Sequence, residues 1–244
     1  MFFTWLFAVR TSFYSAVDVA WSYGIGLIAA LYGAVGPGLQ SRRIMVAVLA
    51  GLWSLRLGTH LLTRLKAKFP EEDRRYTNLR TAWGKSTKRN FFWFFQFQAL
   101  SQPILCIPLA LAATSTSTLG ATDFLAVIVS LVGVAGEAIS DSQLKRFKLD
   151  VENAHRVCDV GLWRYSRHPN YFFEWVIWWG FACLGLLSSS GWASILAPVM
   201  MFILLNFVTG VPPAEAQSLK SKGDLYRKYQ SQTSRFFPWF LKGA

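Results

Sequence analysis

The chain of 244 residues is 53% hydrophobic, 16% aromatic and only 16% charged, with mean hydropathy +0.31 and net charge +12. Such a composition excludes an ordinary soluble domain of this length and points to an integral membrane protein whose first partner is the lipid bilayer. It excludes a nucleic-acid module too, because the positive charge is confined to a few segments between long apolar windows.

The first element in chain order is FFTWLFAV, which is too short to cross a bilayer and is followed by Arg10. It is expected to be an interfacial helix or part of a seventh, irregular span, and without a basic leader or a small-residue cleavage site it does not read as a signal peptide. Apolar windows follow at about 13–36, 44–62, 91–112, 119–140, 171–187 and 192–209. Each is close to the roughly 20 residues that a helix needs to cross about 30 Å of hydrocarbon. The expected fold is therefore all-α, a polytopic membrane bundle of six to seven transmembrane helices forming a single domain over residues 1–244.

Charge placement orients the bundle. Segments 63–90, 141–170 and 211–244 carry 21 of the 25 Lys and Arg residues, whereas TSTST (114–118) and SSSG (188–191) carry no charge. The basic segments are expected to be cytoplasmic and the bare ones to face outward, and six spans then place both termini inside. Arg42 and Arg43, in the expected outer loop after the first span, run against this assignment. Cys106 and Cys183 fall in apolar spans and Cys158 in a cytoplasmic segment, with no CxxC or Cys/His cluster, so neither a disulfide frame nor a metal site is expected. Nothing calls for a second subunit, and a monomer is expected.

Four ionisable residues, Asp18, Arg56, Glu137 and Glu174, lie within or at the edges of the apolar windows. There an ionised side chain costs about 2.5–3.5 kcal/mol on insertion scales unless it is paired or faces a wet cavity. Two readings stand side by side: interhelical ion pairs, Arg56 with one of the acids, or a polar site inside the bundle. The stretch GLWRYSRHPNYFFEW (161–175) favours a site, because Arg164, Arg167, His168 and Asn170 are packed immediately before an apolar helix that carries Glu174 in its first turns. Pro169 holds His168 out of the helical region, Asn170 can cap the helix, and Asn170 and Glu174, four residues apart, share one of its faces. Arginine forks and tyrosine hydroxyls suit phosphate oxygens, and aromatic faces suit a planar ring.

That stretch resembles the C-terminal signature of the membrane steroid 5α-reductase family and is similar to the corresponding segment of sterol C14 and Δ7 reductases. VDVAWSYGIG (17–26), WSLRLGTHLLTR (53–64), EEDRRY (71–76), GEAISDSQLKRFK (136–148) and YRKYQSQTSRFFPWF (226–240) follow the family's order over nearly the whole chain. The resemblance implies an NADPH-dependent oxidoreductase that reduces a carbon–carbon double bond in a lipid-soluble enone, a 3-oxo-Δ4 steroid or related lipid. The cofactor would be held at the cytoplasmic side by helix ends and loops, since no GxGxxG follows a strand. By resemblance, Glu137 and Asp141 face the cofactor, Arg156 matches an arginine before the signature, and Asn170 and Glu174 lie near the nicotinamide. Arg164, Arg167, His168, Tyr171 and Tyr229 are further cofactor contacts. The family commonly has asparagine where this chain has Glu137.

Reducing an enone needs a donor near the carbonyl oxygen while negative charge develops there. The eukaryotic steroid reductases use a glutamate–tyrosine pair for this, with a Gln-Glu-x-x-Pro motif that is missing here, and Leu61 stands where the tyrosine would be. Asp18 and Arg56 are the catalytic candidates left, and Asp18, Trp21 and Tyr23 the substrate contacts, with Asp18 expected to donate near the carbonyl. Such an enzyme belongs in a bacterial inner membrane, or in the endoplasmic reticulum of a eukaryote. Two alternatives stay open: a membrane methyltransferase of the isoprenylcysteine or phospholipid type, using S-adenosylmethionine, and a non-enzymatic lipid-binding scaffold.

Overall fold

The computed structural model describes residues 1–69 and 71–241, so Pro70 in the 63–90 segment and residues 242–244 of the C-terminal tail lie outside the described residues. Every regular element among them is helical: α1 (Phe2–Thr11), α2 (Ala16–Val35), α3 (Gln40–Lys68), α4 (Arg74–Trp83), α5 (Thr87–Leu105), α6 (Ile107–Thr114), α7 (Ala121–Leu149), α8 (Pro169–Gly185), α9 (Leu196–Ile203) and α10 (Val211–Gln232), with short 3-10 and π turns between them. Each expected apolar window falls on helix. Five stretches are long and apolar enough to cross a membrane: α2, α3, α4 to α6, α7, and the run from Gly191 to Gln232 that includes α9. The sixth window coincides with α8, which has 17 residues. At ten residues, about 15 Å of helix, α1 is too short to cross.

The expected cytoplasmic segments are more regular than loops. Helix α3 continues to Lys68 and α7 to Leu149, past the ends of their apolar windows, and the tail forms α10. Lys, Arg, Gln and Glu are good helix formers, so the end of hydrophobicity does not end the helix. Pro108 explains the break between α5 and α6: it lacks an N–H and its ring clashes with the carbonyl four residues back, and the helix pauses at Cys106.

The chain divides into two compact units. One comprises residues 1–122 and 184–196. Its α2 and α3 pack closely where Gly26 leaves room for Ser54, whose Oγ lies 2.2 Å from where a Cβ would stand and donates instead to the Ser22 carbonyl at 2.8 Å. An aromatic core of Tyr14, Tyr76, Phe91 and Phe95 ties α4 and α5 to the start of α2, with Tyr14 stacked on Phe91 at 3.9 Å. Arg42 and Arg43, which opposed the expected orientation, are used inside this unit. Arg43 donates to the Gly33 and Ala34 carbonyls at 2.9 and 2.5 Å, capping the last turn of α2, where unsatisfied carbonyls and the helix dipole favour a cation. Arg42 is fully buried and reaches the carbonyls of Ser117, Thr118 and Leu184.

The second unit comprises residues 123–183 and 197–241 of the described chain. Its α7 and α8 run antiparallel in close contact. A Cβ on Gly136 would fall 2.3 Å from the Phe173 ring, one on Gly133 2.5 Å from Ile177, and one on Gly180 2.2 Å from the Ser130 hydroxyl. The cysteines of both units are free.

Candidate functional site

The contacts between α7 and α8 keep one register: Ser130 meets Gly180, Gly133 meets Ile177, Gly136 meets Phe173, and Asp141 Oδ1 accepts from Asn170 Nδ2 at 3.3 Å. That register sets Glu137 level with Phe173 and Glu174. Glu137 and Asp141 are four residues apart on α7, Asn170 and Glu174 four apart on α8, so the four polar side chains form one cluster. Glu137 and Glu174 are buried, at 5% and 6% exposure, and Glu174 Oε1 accepts from Trp178 Nε1 at 2.8 Å. Asn170 Oδ1 is shut off from solvent and has no hydrogen-bond partner among the described residues.

Beyond Asp141, α7 runs into an open groove of about 460 Å³ lined by Gln143, Arg146, Phe147, Asp150, Glu152, Asn153, Arg156 and Val160. Asp150 in it is turned to local work. Asp150 accepts from the Glu152 backbone at 3.0 Å and from Asn153 Nδ2 at 3.1 Å, while Arg156, exposed, donates to Asn153 Oδ1 at 3.3 Å. Arg164 is also exposed.

Of the cationic signature, Arg167 and His168 face inward. Arg167, 9% exposed, donates Nε to Glu215 Oε1 at 2.7 Å and Nη1 to the carbonyls of Gln230 and Thr233 at 3.0 and 2.7 Å. His168 Nε2 lies 3.4 Å from the same Glu215 oxygen, its ring parallel to Tyr171 at 5.4 Å. Burial lowers the His168 pKa below its ordinary 6.5, and the Glu215 hydrogen bond only partly opposes this. Burial alone would raise Glu215, but hydrogen bonds from His168 and Arg167, with the Arg167 charge, hold it down to about 2. Tyr229 is buried and donates to the carbonyls of Trp163 and Ser166. Arg167, His168 and Tyr229 therefore fasten the signature loop to the C-terminal chain, which adds Arg167 N to Ser234 O at 2.8 Å, Ser166 Oγ to Phe236 O at 2.8 Å and Trp239 N to Tyr165 O at 2.9 Å.

In the first unit, Asp18 opens α2 and accepts from Arg75 Nη2 and, at 2.7 Å, from the Tyr76 hydroxyl. Tyr76 is fully buried, with the Arg75 guanidinium 4.8 Å from its ring centre. EEDRRY thus divides its work. Glu72 accepts from the Tyr14 and Ser15 backbone at the entry to α2, Asp73 caps α4 through Arg75 N at 3.0 Å and pairs with Arg64 at 2.6 Å, and the last two residues hold Asp18. Trp21 Nε1 donates to Ser101 Oγ at 3.0 Å, and Tyr23 pairs with the Thr59 hydroxyl at 3.2 Å. Arg56 is half-buried on α3, and Arg75 forms an ion pair with Asp18.

Sequence reasoning missed Glu215, Arg75 and Tyr76 as site residues. The last two stand in a motif already singled out and carried a signal; Glu215, 47 residues from His168, carried none. Among the described residues no group of His, Cys, Asp and Glu could hold a metal ion.

Comparison with known proteins gives kinship without an activity. The chain is 29% identical over 260 residues to an uncharacterized protein of Schizosaccharomyces pombe, an alignment covering 96% of this chain and 75% of the yeast protein. No solved structure matches it significantly. Residues 4–233 match the family described as a protein of unknown function, DUF1295, and the chain belongs to that family.

Proposed function

We propose that the chain is a membrane reductase that binds NADPH and reduces a carbon–carbon double bond in a lipid-soluble enone, such as a 3-oxo-Δ4 steroid. The observation that carries this reading is the orphaned Asn170 Oδ1, a buried acceptor within a cluster of acceptors. A buried amide oxygen without a donor costs free energy, so it marks a position that a ligand N–H completes. The carboxamide of a nicotinamide is such a donor. The same cluster would repel phosphates, which the reading assigns to the cations exposed nearby, Arg146 and Arg156 in the groove and Arg164 in the loop. The acceptors and the cations thus suit opposite ends of a dinucleotide.

When bound, NADPH would supply the hydride that the β-carbon of the enone takes up. Everything else falls to the chain. Asn170 orients the carboxamide, with its own amide steadied by Asp141. Glu174, held by Trp178, fixes the helix face behind it. On the substrate side, Tyr76 is the proton source the reading favours: its O–H, which Asp18 accepts here, would turn to the substrate oxygen, with the Arg75 guanidinium 3.4 Å from the phenol oxygen to balance the charge left on it, and the α-carbon would take its proton as the enol returns to the ketone. Asp18 holds Arg75 in place beside that oxygen.

Fluorescence of the 11 tryptophans in detergent-extracted protein tests the assignment. NADPH is expected to quench it saturably while S-adenosylmethionine does not, and Asn170→Ala and Glu174→Gln are expected to raise the NADPH Kd at least about tenfold at unchanged thermal stability. Quenching by S-adenosylmethionine alone would establish the methyltransferase reading, and silence with both would leave a lipid-binding scaffold. Asp18→Asn and Tyr76→Phe are expected to lower turnover at least about a hundredfold with cofactor affinity kept.

A further inference from the structure

The seam between α2 and α5, inside the first unit, holds a second polar set in apolar surroundings. The two helices run parallel there: Tyr14 stacks on Phe91, Trp21 Nε1 reaches Ser101, and Gln102 Nε2 donates to the Trp21 carbonyl at 2.9 Å. Phe91, Phe95, Gln98 and Gln102 recur at spacings of four, three and four, so Gln98 stands on the face of α5 turned to α2, level with Asp18 to Trp21. Its polar neighbours satisfy one another. Ser22 donates to the Val19 carbonyl at 3.0 Å, Ser54 to the Ser22 carbonyl at 2.8 Å, and Ser101 to the Gln98 carbonyl at 2.7 Å. The exception is the Gln98 side chain, whose Oε1 is shut off from solvent with no hydrogen-bond partner among the described residues.

At hydrocarbon depth an unmatched amide is expensive, because water is scarce and lipid tails offer no donor. A leucine would fill the position at less cost. We infer that Gln98 is a specificity-determining residue that accepts a hydrogen bond from a hydroxyl group of the lipid substrate, so that this seam selects hydroxylated over purely ketonic or ether lipids. The inference rests on the proposed function for placing the lipid substrate beside Asp18 and Trp21. Chemistry sets the ligand class: the vacant partner is a donor, it arrives through lipid, and the anions at the seam's entry are already engaged, Asp18 with Arg75 and Glu72 with the Tyr14 and Ser15 backbone, so neither is offered to a cationic head. A lipid alcohol meets all three conditions.

The test uses the full chain in detergent and a matched series of 3-oxo-Δ4 steroids, each carrying one hydroxyl or the corresponding methyl ether, which keeps the acceptor and removes the donor. Binding is read from tryptophan fluorescence, with Trp21 close by as reporter. At least one alcohol is expected to bind about tenfold more tightly than its ether, the worth of one buried hydrogen bond. Gln98→Leu is expected to abolish that preference while leaving affinity for the ether within about twofold, and Gln98→Met serves if the leucine variant does not fold. Ser101→Ala, which leaves Gln98 in place, is expected to keep the preference. Equal affinities across the wild-type series, a preference for ethers, a preference that survives the Gln98 substitutions, or no steroid binding at all would overturn the inference. NADPH titration of the same samples separates the two ideas: cofactor binding without alcohol preference sinks only the Gln98 assignment, and alcohol preference without cofactor binding sinks only the reductase.

Discussion

Glu215 is the residue on which the signature loop depends. It lies past the apolar window 192–209, yet it is the shared acceptor for Arg167 and His168 and also takes Gln230 Nε2 at 3.1 Å. Removing one member of a buried ion pair is worse than never having had the pair, because the remaining charge keeps its desolvation cost without its partner. Glu215→Ala is expected to destabilise the protein by about 3–5 kcal/mol, and Glu215→Gln by less, since an amide still accepts from Arg167; thermal unfolding in detergent measures both. The pH dependence follows from the same residues. Folded His168 titrates below 6.5 and folded Glu215 near 2 instead of 4.5, so both bind protons more weakly folded than unfolded. As pH falls, the unfolded chain takes up protons first and gains on the folded one. Stability is therefore expected to be complete above pH 6.5, to decline as His168 protonates, and to fall further from about pH 4.5 downward, with the second stage absent in Glu215→Gln. A melting temperature that rose on acidification would contradict this account.

Among the elements, the packing of α7 on α8 decides whether the polar cluster exists. Hydrophobic length made both helices legible in the sequence, and Asn170 and Glu174 could be placed on one face by spacing alone. What spacing could not supply was the partner face. Glu137 and Asp141 join the cluster because Gly133 and Gly136 let the two backbones approach, and a glycine in an apolar run carries no label of that role. The same limit applies to Asp18. Its place at the edge of an apolar window is readable, but the identity of its partners, Arg75 and Tyr76, depends on how the chain turns back after α3. Short motifs were legible as motifs, whereas the division of EEDRRY into a cap, a cap with an ion pair and two Asp18 ligands is a property of the folded chain. The glycine argument makes its own prediction. Gly136→Val would drive a branched side chain into the Phe173 ring, 2.3 Å from the Cβ position. The expected cost is about 1–3 kcal/mol, with loss of NADPH quenching, while Gly51→Ala in α3, where a Cβ meets nothing within 4 Å, leaves both unchanged.

For the molecule as a whole, sidedness turns on α8. Five stretches are long enough to cross without it, and its 17 residues make about 25 Å of helix against about 30 Å of hydrocarbon. If α8 crosses, six spans return the chain to its starting side and the three basic segments share one face. If it does not, SSSG lies on the same side as the signature loop. Composition favours crossing: α8 carries no Asp, Glu, Lys, Arg or His except Glu174 in its second turn, its last turns include Phe181, Ala182 and Leu184, all buried, and the chain beyond it has no charged residue type up to Glu215. Arg42 and Arg43 no longer argue against that orientation, since both are committed to backbone carbonyls at the ends of helices and loops rather than offered to a lipid surface. Single cysteines at exposed positions, in a background without the native three, decide the matter by impermeant labelling of sealed vesicles. Thr116→Cys and Ser189→Cys are expected to react from one side, and Lys85→Cys and Lys228→Cys from the other. Labelling of Ser189→Cys from the side of Lys85→Cys, with Lys228→Cys moved to the side of Thr116→Cys, would show that α8 enters and leaves on one face, and Glu174 would then sit in a re-entrant helix instead of a span.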